Sequence, residues 1–243
     1  MGDPAPDGRV PTLSVIIPAL NEAAALPATI QALHQSRHPL EIWVVDGGST
    51  DGTPAVAAAL GAEVLPVPRG RGGQLDAGAR AARGEILWFL HADTLVPVDA
   101  AEQVRHALAD PQVLGGSFRC RFLGSTWAAR CFTRLYPVMQ FLGCSYGDAS
   151  LFLRRADYLR TGGFRSLPLF EDLEFWRRLR REGRLVFLPG PLATSARRFE
   201  RHGPGRTLAL WIGLHVLYFL GVPPERLERF YRSASPSCRS RKA

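Results

Sequence analysis

Lysine is all but missing from this chain of 243 residues: Lys242 is the only one, so nearly all of the 30 basic residues are arginines. Set against 22 acidic residues they leave a formal net charge of +8 and a pI near 10. Such a balance raises nucleic acid, anionic lipid and phosphate-bearing substrates as partners, although an arginine bias also arises from genome base composition without any ligand. No helix-turn-helix, zinc-finger or RNA-binding aromatic motif accompanies the charge, so no nucleic-acid partner is expected. Apolar runs are short. None reaches the roughly 18 to 20 residues that a bilayer-spanning helix needs, which excludes a polytopic membrane protein. Cysteine is scarce, and Cys120, Cys131, Cys144 and Cys238 form no CxxC pair and have no histidines at zinc spacing. That argues against a structural metal site or a disulfide framework and for free thiols in a reducing cytoplasm. A basic stretch leading into an apolar core and a cleavage site is also lacking; residues 1–11 (MGDPAPDGRVP) read as a polar leader, and a cytoplasmic location is expected.

What is present is an ordinary globular composition, 46% hydrophobic and 21% charged with a mean hydropathy of −0.03. Short β-rich runs at 13–18 (LSVIIP), 41–46 (EIWVVD), 63–67 (EVLPV) and 86–90 (ILWFL) alternate with helical spacing at 22–35, 53–60, 72–82 and 99–109. Strands that alternate with helices of this length predict a mostly parallel sheet covered on both faces. After residue 110 the pattern shifts. Residues 115–122 and 149–153 alternate like antiparallel strands around a helix at 126–141, which predicts a mixed sheet; a charged helix follows at 172–181 and a strand at 185–188. The resulting division is the leader, an α/β domain over 12–200, a C-terminal helical appendage over 201–232 and a disordered basic tail over 233–243.

In open parallel sheets ligands sit beyond the carboxyl ends of the strands, so the residues just after each strand carry the interest. The first strand runs into Ala19, Leu20, Asn21 and Glu22, the second into Asp46-Gly47-Gly48-Ser49-Thr50-Asp51-Gly52-Thr53, and the fourth into His91-Ala92-Asp93-Thr94. Two carboxylates, hydroxyls and paired glycines in the second loop suit a tight turn against a polar heterocycle or sugar; alone, the loop also reads as a helix N-cap.

The string VVDGGSTDGT, with PALNE before it and FLHADT after it, resembles the nucleotide-sugar-binding fold of family 2 glycosyltransferases, from 13 to about 188. The resemblance implies a GT-A fold with Asp46 on the nucleotide base and Asp93 as the second acid of a D-x-D element on the metal. It also implies nucleotide-sugar contacts from Pro18, Ala19, Asn21, Glu22, Ser49, Asp51, Arg71, Gln74, His91 and Ala92. Residues 70–84 would form the loop and helix along the nucleotide. A diphosphate leaving group needs a hard divalent cation, Mg2+ or Mn2+, bound through one or two carboxylates and substrate oxygens. The sequence departs from the pattern at His91, which stands where the first acid of the D-x-D belongs; a histidine can still bond a ribose hydroxyl or ligate manganese.

Consecutive acids in a helix first turn are commonly no more than favourable caps. Within the resemblance, Glu171-Asp172 matches an E-D pair whose aspartate is the general base, so Asp172 takes that role and Glu171 is the fallback or an acceptor-orienting group. Asp148 becomes an acceptor contact, and Arg197 and Arg198 become diphosphate ligands or part of a basic surface patch. The apolar stretch 207–221 reads as a core-packed or dimer-forming helix, or as an interfacial helix at the inner face of a membrane. The expectation is an inverting transferase that moves a sugar from a nucleoside-diphosphate donor, UDP by preference, to a small-molecule or lipid hydroxyl. The combination FLHADT, GDASLF and FEDLEFWRRL resembles a bacterial subgroup associated with arsenosugar biosynthesis. A lipid or carotenoid acceptor fits the basic, apolar C-terminus as well, and a catalytically silent nucleotide-binding regulator is the rival from another class. A sugar nucleotidyltransferase would need a basic glycine-rich loop after the first strand, which PALNEAAAL does not offer.

Overall fold

Four parallel strands form one half of an eight-stranded sheet: β1 (Leu13–Ala19), β2 (Glu41–Asp46), β3 (Glu63–Pro66) and β4 (Ile86–Phe89), in the order β3-β2-β1-β4. The computed structural model describes residues 12–123, 133–134, 150–195 and 204–234. β1 is buried along almost its whole length, as a strand covered on both faces must be, and it lies in register with β2 from Ser14 opposite Glu41 to Ala19 opposite Asp46.

Beyond β4 the sheet continues with β7 (Leu151–Arg154), β6 (Val113–Leu123), β8 (Arg184–Ser195) and the two-residue β5 (Thr94–Leu95) at the edge. β7 runs antiparallel to both β4 and β6, whereas β6 and β8 are parallel. The sheet is therefore mixed, and because β7 is reversed, the residues leading into it reach the same edge as the loops that leave β1, β2 and β4. β8 continues seven residues past the apolar run that marks it in the sequence. Pro189, Gly190 and Pro191 interrupt the run, and the ladder absorbs them as a bulge, with Phe118 opposite Leu188 but Cys120 opposite Leu192.

Helices α1 (Leu26–His34), α2 (Thr53–Ala59) and α4 (Ala100–Ala109) cover one face, while α3 (Arg71–Ala81), α5 (Arg155–Arg160) and α6 (Glu171–Glu182) cover the other. Alternation along the strands divides the core: Val15, Ile17, Val44 and Trp88 enter the first layer, and Ile16, Val45, Leu87 and Phe89 the second. α1 begins four residues later than its helical spacing suggests, since Pro27 is tolerated only in a first turn; Glu22 to Ala25 form a turn, with the Ala25 and Leu26 amides donating to the Glu22 carbonyl. The short α5 is absent from the periodicity reading, and the helix expected at 126–141 lies outside the described residues apart from the helical pair Thr133 and Arg134. Two further helices, α7 (Pro204–Phe219) and α8 (Pro224–Ala234), close a third apolar cluster in which Leu214 and Leu227 meet Phe170 and Leu173. α8 thus reaches two residues into the stretch expected to be disordered. No helix among the described residues is long and apolar enough to cross a membrane.

The close seat of α3 on the sheet depends on Gly78, where an added Cβ would stand 2.6 Å from Ile16 Cγ2 and 2.7 Å from Val45 Cγ2. Both are branched side chains in a packed layer and have little room to yield. Gly78→Ala should therefore lower the unfolding free energy by about 1–3 kcal/mol in a urea titration, despite the better helix propensity of alanine.

Candidate active site

The loops after β1 and β2 are joined by side chains of the second that cap amides of the first. Ser49 Oγ accepts from the Asn21 amide at 2.8 Å, Thr53 Oγ1 from the Glu22 amide at 2.9 Å, and Asp51 Oδ2 from the Ala23 amide at 3.1 Å. In return Asn21, in a left-handed conformation that asparagine tolerates, accepts the Thr50 amide at 2.8 Å on its side-chain oxygen. The Thr53 hydroxyl donates to Asp51 at 2.5 Å and leads the causes that hold this carboxyl below its ordinary value. Asn21, Glu22, Ser49 and Asp51 thus shape the rim of the donor loops. Thr53, which carries one of these contacts, is a member of the site that the sequence reading missed, although it belongs to the same DGGSTDGT string.

Asp46 sits beneath this rim, only 4% exposed. Its Oδ2 accepts from the Gly48 and Ser49 amides, both at 3.0 Å, and Gly48 reaches that position with φ near 90°. The other oxygen, Oδ1, is buried and has no hydrogen-bond partner among the described residues. A buried carboxylate oxygen left without a donor costs on the order of 1–3 kcal/mol or more, a cost that a water or a ligand N–H or O–H relieves. Gln74 spends its amide nitrogen on the carbonyls of Ala19 at 2.9 Å and Val45 at 2.8 Å, which fixes the ends of β1 and β2 side by side. Gly47 makes room for it: an added Cβ there would lie 3.0 Å from the Gln74 nitrogen.

The loop after β4 is anchored from the far layer. The Leu90 amide donates to the Ile16 carbonyl, and Thr29 of α1 donates its hydroxyl to the Ala92 carbonyl at 2.8 Å. His91 and Asp93 stand on either side of this pinned, buried alanine. Thr29 carries no signal in the sequence; it occupies an ordinary core position of an amphipathic helix.

Arg71, at the first position of α3, connects this loop to α6. Its Nη2 meets His91 Nε2, and its Nη1 lies 3.3 Å from Glu171 Oε1 and 3.5 Å from Asp172 Oδ2. An imidazole that accepts at Nε2 carries its proton on Nδ1. Asp172 also caps its own helix, with Oδ1 accepting the Leu173 amide at 2.7 Å. Glu171 is more deeply buried. Desolvation pushes its carboxyl up to about 7, with Arg71 opposing and the neighbouring Asp172 assisting. Phe170, which turns the chain into α6 with φ 65°, packs edge-on against His215 of α7 with ring centroids 4.8 Å apart. His215 is held below its ordinary value by burial, against a hydrogen bond to the Trp211 carbonyl and the charge of Asp172.

Pro18, Arg71, His91 and Asp172 line one shallow cleft, floored by Leu75, Phe89, Phe164 and Trp176 and bordered by Ser150. Ser150 is itself fixed by the Trp88 indole, which donates to its hydroxyl at 2.5 Å. The cleft brings the ends of β1 and β4 and the start of α6 together. Asp148, Arg197 and Arg198 lie outside the described residues.

A divalent cation has partial support in these side chains. No group of three or more metal-ligating side chains occurs among the described residues. Asp93 nevertheless supplies one carboxylate on a pinned loop, which fits an ion that takes most of its oxygens from a diphosphate and water.

Comparison with known proteins agrees with this arrangement. Residues 14–163 match the family model described as glycosyl transferase family 2. An uncharacterized glycosyltransferase of Mycobacterium bovis is 42% identical over 82 residues, covering 33% of this chain and 36% of that protein, so the match spans about a third of the relative's length. Among solved structures, a mannosyltransferase from Pyrobaculum calidifontis in complex with GDP-Man and Mn2+ superposes with a TM-score of 0.66 at 22% identity, covering 96% of this chain and 73% of that one. Glucosyl-3-phosphoglycerate synthase from Mycobacterium tuberculosis, in complex with Mn2+, UDP and glucosyl-3-phosphoglycerate, gives 0.61 at 22% identity over 88% of this chain and 81% of its own. These two show the fold, a GT-A type α/β sheet.

The raised Glu171 carboxyl makes stability depend on pH with a definite sign. A carboxyl whose folded value lies above its unfolded one favours folding while protonated, so its contribution is complete below about pH 4.5 and is lost as the pH rises through about 7. Denaturation curves between those limits should show Glu171→Gln gaining stability relative to the unsubstituted protein as the pH rises. Parallel pH profiles for the two proteins would contradict the burial argument.

Proposed function

We propose that this chain, which belongs to glycosyl transferase family 2, transfers a sugar from UDP to an acceptor hydroxyl with inversion at the anomeric carbon, using Asp172 as the general base. The observation that carries the reading is the cleft in which Asp172 stands with Pro18 at the end of β1 and His91 after β4, the same sheet edge at which Asp46 ends β2 opposite Ala19.

The choice of base follows from Asp46. Its Oδ2 is committed to two backbone amides, which leaves Oδ1 alone to face a ligand donor. Uracil presents a single imide N–H between two carbonyls and matches that oxygen. Guanine presents two adjacent N–H donors and would need both. The acceptor hydroxyl then attacks the anomeric carbon from the face opposite the diphosphate. As the new C–O bond forms, the bond from the anomeric carbon to the phosphate oxygen breaks, UDP departs with that electron pair, and the hydroxyl proton passes to a carboxylate oxygen of Asp172. Arg71 sets the position of that carboxylate through Nη1 and holds Glu171 beside it. A divalent ion, Mg2+ or Mn2+, held by Asp93 and the donor's diphosphate would neutralise charge on the leaving group.

A nucleotidyltransferase is disfavoured because the loop after β1 is occupied by side chains of the β2 loop and presents no basic group for a triphosphate. None of the described cleft residues is particular to an arsenic-bearing substrate, so the arsenosugar pathway rests on the resemblance of the sequence strings.

Calorimetric titration with UDP and GDP, each with and without Mn2+, tests the donor site. UDP should bind more tightly than GDP, and more tightly with the ion than without. Asp46→Ala should weaken UDP binding about 10- to 100-fold, the loss expected for a hydrogen bond to a charged group. Asp93→Ala should remove the metal dependence. Asp172→Asn should lower turnover by roughly 10²- to 10⁴-fold while leaving UDP affinity within about two-fold. If turnover survives Asp172→Asn, the assignment of the base fails, and if UDP binds without any detectable transfer, the silent-regulator reading replaces it.

A further inference from the structure

Helix α7 has two apolar faces and buries one of them. Leu214 is buried with Phe170 and Leu173, and Leu210, Trp211 and Tyr218 pack on the same cluster. On the opposite side Ile212, Val216, Phe219 and Leu220, spaced i, i+4, i+7 and i+8, form a stripe that is 55%, 51%, 53% and 75% exposed. No Asp, Glu, Lys or Arg occurs from 207 to 224 (TLALWIGLHVLYFLGVPP). A helix that is apolar on all sides belongs in a buried setting, and a contiguous exposed stripe of this kind marks a contact surface.

The border of the stripe is cationic. Arg177 of α6 lies with Cζ 5.1 Å from the centre of the Phe219 ring. On α8 the buried Leu227 faces the protein, while Arg226, Arg229 and the ring of Phe230 are exposed, together with the single exposed acid Glu225. We infer that this α7–α8 face docks on an anionic bilayer surface, with α7 lying flat in the headgroup region and the arginines meeting lipid phosphates. At about 1.5 Å per residue, α7 is roughly 24 Å long, and its apolar stripe would sink about 5–10 Å. Charge complementarity selects the lipid surface over a second copy of the chain. Arg177, Arg226 and Arg229 outnumber the exposed Glu225 along this border, so two copies paired through it would bring together surfaces of the same net sign, whereas anionic headgroups neutralise the excess. The buried face of α7 packs on Phe170, so docking would set the start of α6 and its acids about one helix diameter from the headgroups.

This docking goes beyond the transferase reading and is tested apart from it, since vesicle binding needs no substrate and UDP titration needs no vesicles. The full chain is floated with phosphatidylcholine vesicles, with and without about 30 mol% phosphatidylglycerol. It should bind the anionic vesicles and release as salt rises toward about 0.5 M. Val216→Asp and Leu220→Asp, both at exposed positions, should each weaken vesicle binding at least about ten-fold while leaving circular dichroism and UDP affinity unchanged. Replacing Arg226 and Arg229 together by Gln should cost roughly 30-fold on anionic vesicles, about five-fold for each charge. Absence of binding, or equal binding to neutral and anionic vesicles, would overturn the proposal. So would a dimer in sedimentation velocity that Leu220→Asp splits, which would make the stripe an interface between copies.

Discussion

One guanidinium group holds together the parts of the cleft that come from distant stretches of chain. Arg71 reaches His91 after β4 and the two acids that open α6, separated from it by 20 and by 100 or 101 residues. An arginine suits this place because its planar fork serves several acceptors at once and keeps its charge when half-buried. Glu171 and Asp172 are adjacent carboxylates in a poorly solvated setting, and the cation between them and the imidazole offsets their mutual repulsion. The seat of Arg71 is itself tightly constrained. A Cβ at the next residue, Gly72, would lie 2.2 Å from the Arg165 carbonyl oxygen, so only glycine lets α3 approach the segment that leads into α6.

The joint between the loops after β1 and β2 rests on a different principle. It is built from backbone amides and short side chains, with Ser49, Asp51 and Thr53 capping three successive amides of the β1 loop and Asp46 capping two of its own. This network is satisfied internally except at Asp46 Oδ1. A preorganised polar pocket with one unmet acceptor binds selectively, because a ligand that supplies the missing donor removes a cost already present in the folded protein.

The sheet makes both halves possible. Parallel β1, β2 and β4 bring three loops to one edge, and the reversed β7 delivers Ser150 to the same edge without a crossover. The helices past β8 add a second constraint. α7 packs on Phe170 just before α6, so its exposed stripe lies about one helix away from Glu171 and Asp172.

Much of this was legible in residue order. Hydrophobic alternation located β1 to β4 and α2 to α4 to within a few residues, because strands buried on both faces and amphipathic helices leave period signals that need no knowledge of partners. The loop strings DGGSTDGT and HADT and the pair Glu171-Asp172 stand where short polar residues interrupt apolar runs, and a resemblance could be carried by them. What residue order could not decide is what each polar group faces. Ser49 and Asp51 turn toward backbone amides, Gln74 toward two carbonyls, and Asp46 keeps one oxygen unmet; all are short polar side chains in the sequence, and only distances separate their roles. The same holds for Arg71 and Thr29, whose partners lie 20 to 101 residues away, and for 207–221, where composition shows an apolar helix but only packing reveals which stripe is covered. Sequence by itself determined the local periodicities and the chemical inventory, since both are properties of neighbouring residues. Tertiary structure decided which groups share a cleft, because that depends on contacts between segments that periodicity does not encode.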